Sequence, residues 1–502
     1  MASSTEARTL VEVLENGAAD HPALVSPDGP TITYDSLRKQ VARLMGQLKS
    51  FGIRREDRVA IVLPNGLEVI ASFLAVTGVA TAAPLNAAYK PDEFEFYLDD
   101  TNAKAVITGP DAGQEAVDAA PKGAIHIVVS MDDDGEINFS GPSGATPSTD
   151  ADLGADDVAL VLHTSGTTSR PKRVPLTHKN LTTSLRNVAA TYSLNEDDVS
   201  LCIMPLFHVH GLVASTLSTF FSGGTVVVPP RFNPMNFWPV VKDHGVTWYS
   251  AVPSIHQALL TRARSGKPDV PETLRFIRSC SASLPPIVMD ELESQFGVPV
   301  VEAYGMTEAA HQMSSNPLPP GNRLPGAVGP GTGVEVAIMD EEGTLLVVGE
   351  RGEVVIKGDN VITGYENNPE ANATSFTNGW FRTGDEGVMD ANGFLALTGR
   401  LKEMINRSGE KISPREIDEV LMDHPAVGEA VAFGVAHRIH GEEAAAAVVL
   451  TGEVTTEELI AFCKEKLADF KVPRTIHVME EIPRGPTGKI SRRFLTESFS
   501  KG

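Results

Sequence analysis

The chain predicts an α/β protein: a large N-terminal domain of doubly wound sheets plus a small barrel, followed by a small α+β domain. Three observations predict it. Short apolar runs alternate with helical patterns through the first half of the chain. After Gly326 the pattern changes to short strands set between Gly, Asp and Asn turns. Beyond Arg400 remain about 100 residues, the size of one further small domain. A length of 502 residues is also more than one hydrophobic core can hold.

Apolar residues at helical spacing (Leu37, Val41, Leu44, Met45, Leu48) predict the first long helix. Arg58-Val-Ala-Ile-Val-Leu63 reads as a buried strand stopped by Pro64-Asn65-Gly66. Val69 to Ala83 reads as a buried helix passing into a loop, because Pro84 ends it. Further strands are expected at Ala105–Ile107, Ile125–Val129, Val158–Leu162 and Thr225–Val228. Strands separated by helices imply a parallel sheet. Met131 to Asp152, rich in Asp, Gly, Ser and Pro, is expected to be a floppy loop. Val334–Ile338, Gly352–Ile356 and Gly393–Thr398 read as the strands of an antiparallel barrel or small sheet. In the last domain, a helix at Pro414–Met422, strands at Val427–Phe433 and Ala444–Leu450, and a helix at Thr455–Leu467 are expected. The boundary is expected at Gly399 to Lys402.

The composition, 42% hydrophobic and 21% charged, excludes general disorder. A net charge of −23 opposes broad binding to nucleic acid or an anionic membrane, since the long-range field repels phosphates. Any phosphate ligand must then be met by a local nest of donors. Cys202, Cys280 and Cys463 stand at no metal-like spacing and point to a reducing compartment without disulfides. The first residues are polar and mixed in charge, unlike a secretory signal, and the end carries no peroxisomal tripeptide. The longest apolar run is too short and interrupted to span a bilayer. A cytoplasmic protein, monomeric or a weak homodimer, is expected.

Four stretches carry chemistry. Thr164-Ser-Gly-Thr-Thr-Ser-Arg-Pro-Lys172 packs hydroxyls and a glycine behind a strand and ends in a cation, a composition suited to wrapping a polyphosphate. It is not a Walker A loop. Tyr304-Gly-Met-Thr-Glu308 sets a hydroxyl beside a carboxylate, which suits a Mg²⁺–triphosphate, with Tyr304 able to stack on a base. Trp380-Phe-Arg-Thr-Gly-Asp385, followed by Arg400, offers an aspartate for ribose hydroxyls. Gly485-Pro-Thr-Gly-Lys489 presents one lysine on a glycine-bounded loop, able to stabilise charge at a reacting phosphate. Each stretch alone also fits an ordinary solvated turn.

Together and in this order the four stretches resemble the adenylate-forming superfamily of acyl-CoA synthetases, carrier-protein adenylation domains and luciferases, over roughly Leu10 to Arg493. Pro84-Leu-Asn-Ala-Ala-Tyr89, His163–Lys172, Pro205-Leu-Phe-His-Val-His-Gly211, Arg278-Ser-Cys-Ser-Ala-Ser283 and His311-Gln-Met-Ser-Ser-Asn-Pro317 are similar to oxalate–CoA ligases. The resemblance implies ATP, Mg²⁺ and coenzyme A as ligands and an acyl-AMP intermediate. It puts Thr164, Ser165, Gly166, Thr167, Thr168 and Lys172 on the phosphate loop. Tyr304 falls on the adenine-stacking aromatic, Thr307 on the α-phosphate contact and Glu308 on the Mg²⁺ ligand. Asp385 and Arg400 match the ribose pair, Lys402 the hinge of a mobile C-terminal domain, and Lys489 the lysine of adenylation. Gly409 matches the glycine that lets pantetheine pass. The implied division is 1–399, a hinge at 400–402, and a mobile domain at 403–502.

In this superfamily the acid pocket is bounded by the segments that here supply His208, His210, Ser281, Ser283 and His311, a strongly polar set. A second carboxylate needs such donors, and the resemblance to oxalate–CoA ligases points the same way, so the expected acid is oxalate. Another small acid (acetate, malonate, a short fatty acid), a carrier-loading enzyme and a nucleotide-binding pseudoenzyme are the alternatives. Arg173 departs from the family, which has glycine there. The arginine is expected to be strained, if that glycine has φ > 0, or to add phosphate charge.

Overall fold

A computed structural model describes residues 7–142, 146, 153–164, 171–266, 268–484 and 490–499. Two mainly parallel sheets form the bulk of the N-terminal domain. The first has seven strands in the order Ile137–Ser140, Ile125–Met131, Ala105–Thr108, Arg58–Val62, Thr81–Pro84, Val158–Thr164, Lys172–Thr177. The second has eight, in the order His311–Ser315, Val300–Met306, Phe276–Ser279, Trp248–Ala251, Val199–Leu201, Thr225–Val227, Pro22–Val25, Thr31–Thr33. Central strands such as Ala105–Thr108, Trp248–Ala251 and Phe276–Ser279 are buried along their whole length, as strands covered on both faces must be. Such burial favours apolar and small polar residues, which makes the charged Arg278 within Phe-Ile-Arg-Ser an anomaly.

The predicted helix over Leu37–Leu48 is part of Tyr34–Ser50, begun by Thr33, whose hydroxyl accepts from the Ser36 N–H. Leu67–Thr77 is the buried helix expected, apolar all round. It runs into the strand Thr81–Pro84 rather than a loop. That strand pairs in parallel with Arg58–Val62 and touches Val158–Thr164, where the Thr81 hydroxyl donates to the Val158 carbonyl at 2.8 Å. Four residues are too few for a strand period to show beside a helix.

The expectation of a floppy loop over Met131 to Asp152 is corrected for its first part, while residues 143–145 and 147–152 lie outside the described residues. Met131 pairs with Ile137 and Val129 with Phe139 in an antiparallel hairpin. Asp132 accepts two main-chain N–H groups at its turn, and Ile137 and Phe139 alternate inward. The polar residues around them hide a two-residue apolar pattern.

Residues 335–400 form a five-stranded antiparallel sheet: Glu335–Met339, Arg351–Lys357 and Trp380–Met389, with Phe376–Thr377 and Leu395–Arg400 both on Trp380–Met389. Two short strands divide one edge of the long one, so among the described residues the ladder is an open sheet, the small sheet of the two expected alternatives and not the barrel. The last five-stranded sheet holds Val427–His437 against Gly441–Leu450 and is packed by the helices Pro414–Met422 and Thr456–Lys466. It docks on the antiparallel sheet where Arg415 donates to the Leu397 carbonyl at 2.7 Å. The three cysteines are buried and form no disulfide. Among the described residues no helix is long and apolar enough to cross a membrane.

Candidate functional site

A cleft of about 400 Å³ opens beyond the carboxyl ends of the eight-stranded sheet, walled on its far side by the C-terminal unit. Ser281, Ser283, Tyr304, Asp385 and Arg400 line it, four of them at or just past the ends of the strands that carry them. Arg415, Arg484 and Arg492 line it from the other side.

Three of the expected nucleotide residues meet directly. The Tyr304 hydroxyl donates to Asp385 Oδ2 at 2.5 Å, and Arg400 Nε lies 2.9 Å from Asp385 Oδ1. Antiparallel pairing sets Asp385 opposite Arg400, so the strand register itself brings the pair together. Burial, and then the Asp385 carboxylate, push the Tyr304 phenol well above its ordinary pKa, so it remains a donor. Gly305 follows at a bulge where the strand Val300–Met306 meets His311–Ser315. A Cβ there would lie 2.1 Å from the His311 carbonyl oxygen, so no side chain fits.

A second group meets around Glu308. Tyr365 donates to Glu308 Oε1 at 2.8 Å, and the Thr164 hydroxyl lies 3.5 Å from the same oxygen. Lys172 stands opposite Thr164 across the hairpin, with its ammonium 4.4 Å from the Tyr365 ring centroid. Burial, and then the ammonium of Lys402, lower the Lys172 pKa, while Glu308 raises it. Two cations beside one carboxylate, on a strongly acidic protein, suit a polyanion. Ser165, Gly166, Thr167 and Thr168 lie outside the described residues. Among those described, no cluster of three or more His, Cys, Asp or Glu could hold a metal. One hard carboxylate fits Mg²⁺ that arrives on phosphate oxygens, not a preformed cage. Thr307 is buried in the same short 3₁₀ turn as Glu308.

Arg173 faces away from this group. It sits in the extended strand Lys172–Thr177 opposite His163, and it is not among the positive-φ residues, so the expected strain is absent. Its Nε lies 3.2 Å from Asp100 Oδ2 and 3.8 Å from Glu366 Oε2, and Nη1 donates to the Asp100 carbonyl. The guanidinium is a tie between segments.

The polar set expected for the acid is brought together, with residues that the sequence did not single out. His210 is fully buried at the start of a π-helical segment, His210–Leu217. Its Nδ1 lies 2.9 Å from Ser281 Oγ and its Nε2 2.6 Å from Ser250 Oγ. The His311 ring centroid is 5.4 Å from that of His210. His208 Nδ1 accepts from the His210 N–H at 3.3 Å. Behind them lies Arg278, fully buried, donating to Tyr192 Oη at 2.9 Å, Ser250 Oγ at 2.8 Å and Gln312 Oε1 at 3.0 Å. Its Nη2 is 3.4 Å from His311 Nδ1. Arg278, Ser250, Gln312 and Tyr192 were missed. The available signal was an arginine inside a four-residue apolar strand. Ser281 (φ 73°), Ala310 (φ 49°) and His311 (φ 107°) all hold the left-handed region without being glycine, a concentration of strain at one pocket.

One expected residue among those described is not in this constellation. Gly409 (φ 94°) occupies the exposed turn between Ile405–Arg407 and Glu410–Ile412 and does not line the cleft. Lys489 lies outside the described residues. Arg484 and Ile490, on either side of its loop, are bridged to one another and both line the cleft.

The AMP-binding enzyme family matches residues 12–366. The AMP-binding enzyme C-terminal domain matches residues 416–489. An oxalate–CoA ligase of Arabidopsis thaliana is 47% identical over 98% of this chain and 98% of its own. An oxalate–CoA ligase of Saccharomyces cerevisiae is 43% identical over 96% of this chain and 95% of its own. The crystal structure of ATP-bound MatB from Rhodopseudomonas palustris superposes with a TM-score of 0.89 at 30% identity, covering 98% of this chain and 99% of that one.

Proposed function

The chain belongs to the AMP-binding enzyme family, and on that premise we propose that it is an AMP-forming acid–thiol ligase that joins oxalate to coenzyme A. One observation carries the choice of acid: the pocket behind Ser281 is polar throughout, built from His210, His311, Ser250 and a buried arginine. A short fatty acid or acetate would leave those donors unanswered, and an unanswered buried polar group is costly.

A carboxylate resists nucleophilic attack because it is already anionic. Forming a mixed anhydride removes that obstacle. One oxalate oxygen attacks the α-phosphorus of ATP, the bond to the β-phosphate oxygen breaks, and pyrophosphate leaves with the electron pair. The thiolate of coenzyme A then attacks the acyl carbon of oxalyl-AMP, and AMP leaves. Tyr304 would stack on adenine, while Asp385 and Arg400 would hold the ribose. Thr164 and Lys172, with Ser165, Gly166, Thr167 and Thr168, would hold the phosphates, and Thr307 the α-phosphate. Mg²⁺ on Glu308 would offset charge on the phosphates. Lys489 would bridge the carboxylate and the α-phosphate during adenylation. The C-terminal residues 403–502 would turn about 400–402, with Lys402 as pivot, and Gly409 would then line the path of the thiol. His208, His210, Ser281, Ser283 and His311 would receive the acid.

Pyrophosphate release measured with oxalate, malonate, acetate and butyrate tests the reading. Oxalate should be preferred, with AMP and oxalyl-CoA as products. His311→Ala and Ser281→Ala should each raise the oxalate KM more than about thirtyfold and leave the ATP KM nearly unchanged. A wild-type preference for acetate or butyrate would refute the acid while leaving the reaction class standing.

A further inference from the structure

Arg278, the buried arginine of the acid pocket, takes no part in the bond-making steps, yet it is an unusual side chain. A guanidinium keeps its charge at any ordinary pH. This one is fully buried, and among the described residues its partners are two hydroxyls, an amide carbonyl, an imidazole nitrogen and the Cys280 thiol, with no carboxylate. Every other buried charge of that kind calls for a counter-ion.

We infer, on the reading that the acid is oxalate, that Arg278 is a positioning residue that polarises the acid pocket and makes it select an acid bearing a second negative group. Hydrogen-bond direction carries the effect. Ser250 Oγ accepts from Arg278 Nη1 at 2.8 Å, so its single hydrogen turns to His210 Nε2, 2.6 Å away. His210 Nε2 is therefore an acceptor, and the ring proton sits on Nδ1, donating to Ser281 Oγ at 2.9 Å. Ser281 has its oxygen engaged and its own hydrogen left for the cleft that it lines. On the other arm, Arg278 Nη2 faces His311 Nδ1 at 3.4 Å, which makes that nitrogen the acceptor and puts the proton on Nε2. One guanidinium thus sets the tautomers of both histidines and turns Ser281 into a donor. It also places beside the pocket a positive charge that no carboxylate touches among the described residues. The carboxylate that stays unreacted through adenylation is the counter-ion the protein lacks.

The test uses the full chain and pyrophosphate release with oxalate, with glyoxylate (equal in size, one carboxylate) and with acetate. Arg278→Met keeps the stem and removes the charge. Its oxalate kcat/KM should fall at least about thirtyfold. The glyoxylate and acetate values and the ATP KM should stay within about twofold, so that the ratio of oxalate to monoacid collapses. Ser250→Ala cuts one arm of the relay and leaves Arg278 its other partners. It should lower the ratio about three- to tenfold. Arg278→Lys restores a charge and should recover part of the ratio. Equal losses for oxalate and the monoacids in Arg278→Met would overturn the inference, because a purely structural role damages all substrates alike. Should Arg278→Met not fold, an unchanged ratio in Ser250→Ala overturns it equally. A wild type that uses monoacids and no oxalate refutes the substrate reading itself, before any variant is made.

Discussion

Replacing Arg173 by methionine should cost stability and spare ATP binding. The arginine side chain is 12% exposed and ties Asp100, at the end of the helix Pro91–Thr101, to Glu366 and to its own hairpin. Hydrogen bonds to charged groups contribute about 1.5–3 kcal/mol each when their loss strands a partner. Here neither partner is stranded. Asp100 keeps His163 Nε2 at 2.9 Å, Glu366 keeps Arg58 at 2.7 Å, and Asp100 is one-third exposed. The loss should therefore be about 2 kcal/mol, below the roughly 3 kcal/mol that two such bonds would contribute at the least. Arg173→Gly should cost about 1 kcal/mol more, because glycine is unfavourable within a strand. Urea unfolding followed by tryptophan fluorescence reads the difference, since Trp238 and Trp248 are buried in the same domain. In an Asp100→Asn background the cost of Arg173→Met should shrink by half or more. The ATP KM should stay within about twofold in every variant. A tenfold rise in the ATP KM with unchanged unfolding would refute the assignment and make Arg173 a phosphate ligand.

Tyr365→Phe removes the hydroxyl that holds Glu308 and keeps the ring under Lys172. The ATP KM should rise about tenfold, the value of one hydrogen bond to a carboxylate, with the oxalate KM unchanged. Glu302 is buried, with Oε2 unpartnered, and burial raises its carboxyl to about 7 from an ordinary 4.5. Between those values the unfolded chain has released the proton and the folded chain keeps it, so this group lowers stability as pH rises from 4.5 to 7. Glu302→Gln should therefore be more stable than wild type at pH 8, by up to about 3 kcal/mol, and no more stable at pH 4, as paired urea titrations would reveal. Lys489→Ala should nearly abolish oxalyl-AMP formation and spare thioester formation from pre-made oxalyl-AMP. Equal loss in both half-reactions, measured separately, would remove Lys489 from its role.

What the sequence determined by itself is local. Hydrophobic period located most strands and helices, and the family resemblance that the short motifs carry pointed to Thr164, Lys172, Tyr304, Glu308, Asp385 and Arg400 as one site. Most of those residues lie at or near strand ends, and where a strand stops is written in its own few residues. The errors came where a segment's state depends on a neighbour. Thr81–Pro84 is a strand because two other strands flank it, and Ile137 and Phe139 form one because Met131 and Val129 lie opposite. Only the tertiary structure decided what Arg173 and Arg278 do. Asp100 stands 73 residues from Arg173 in the chain. The partners of Arg278, Tyr192, Ser250, His311 and Gln312, come from separations of 86, 28, 33 and 34 residues. A side chain's charge is legible in one letter of sequence. Whether that charge is tied, exposed or buried without a counter-ion depends on which distant segments close around it, and chain order does not carry that information.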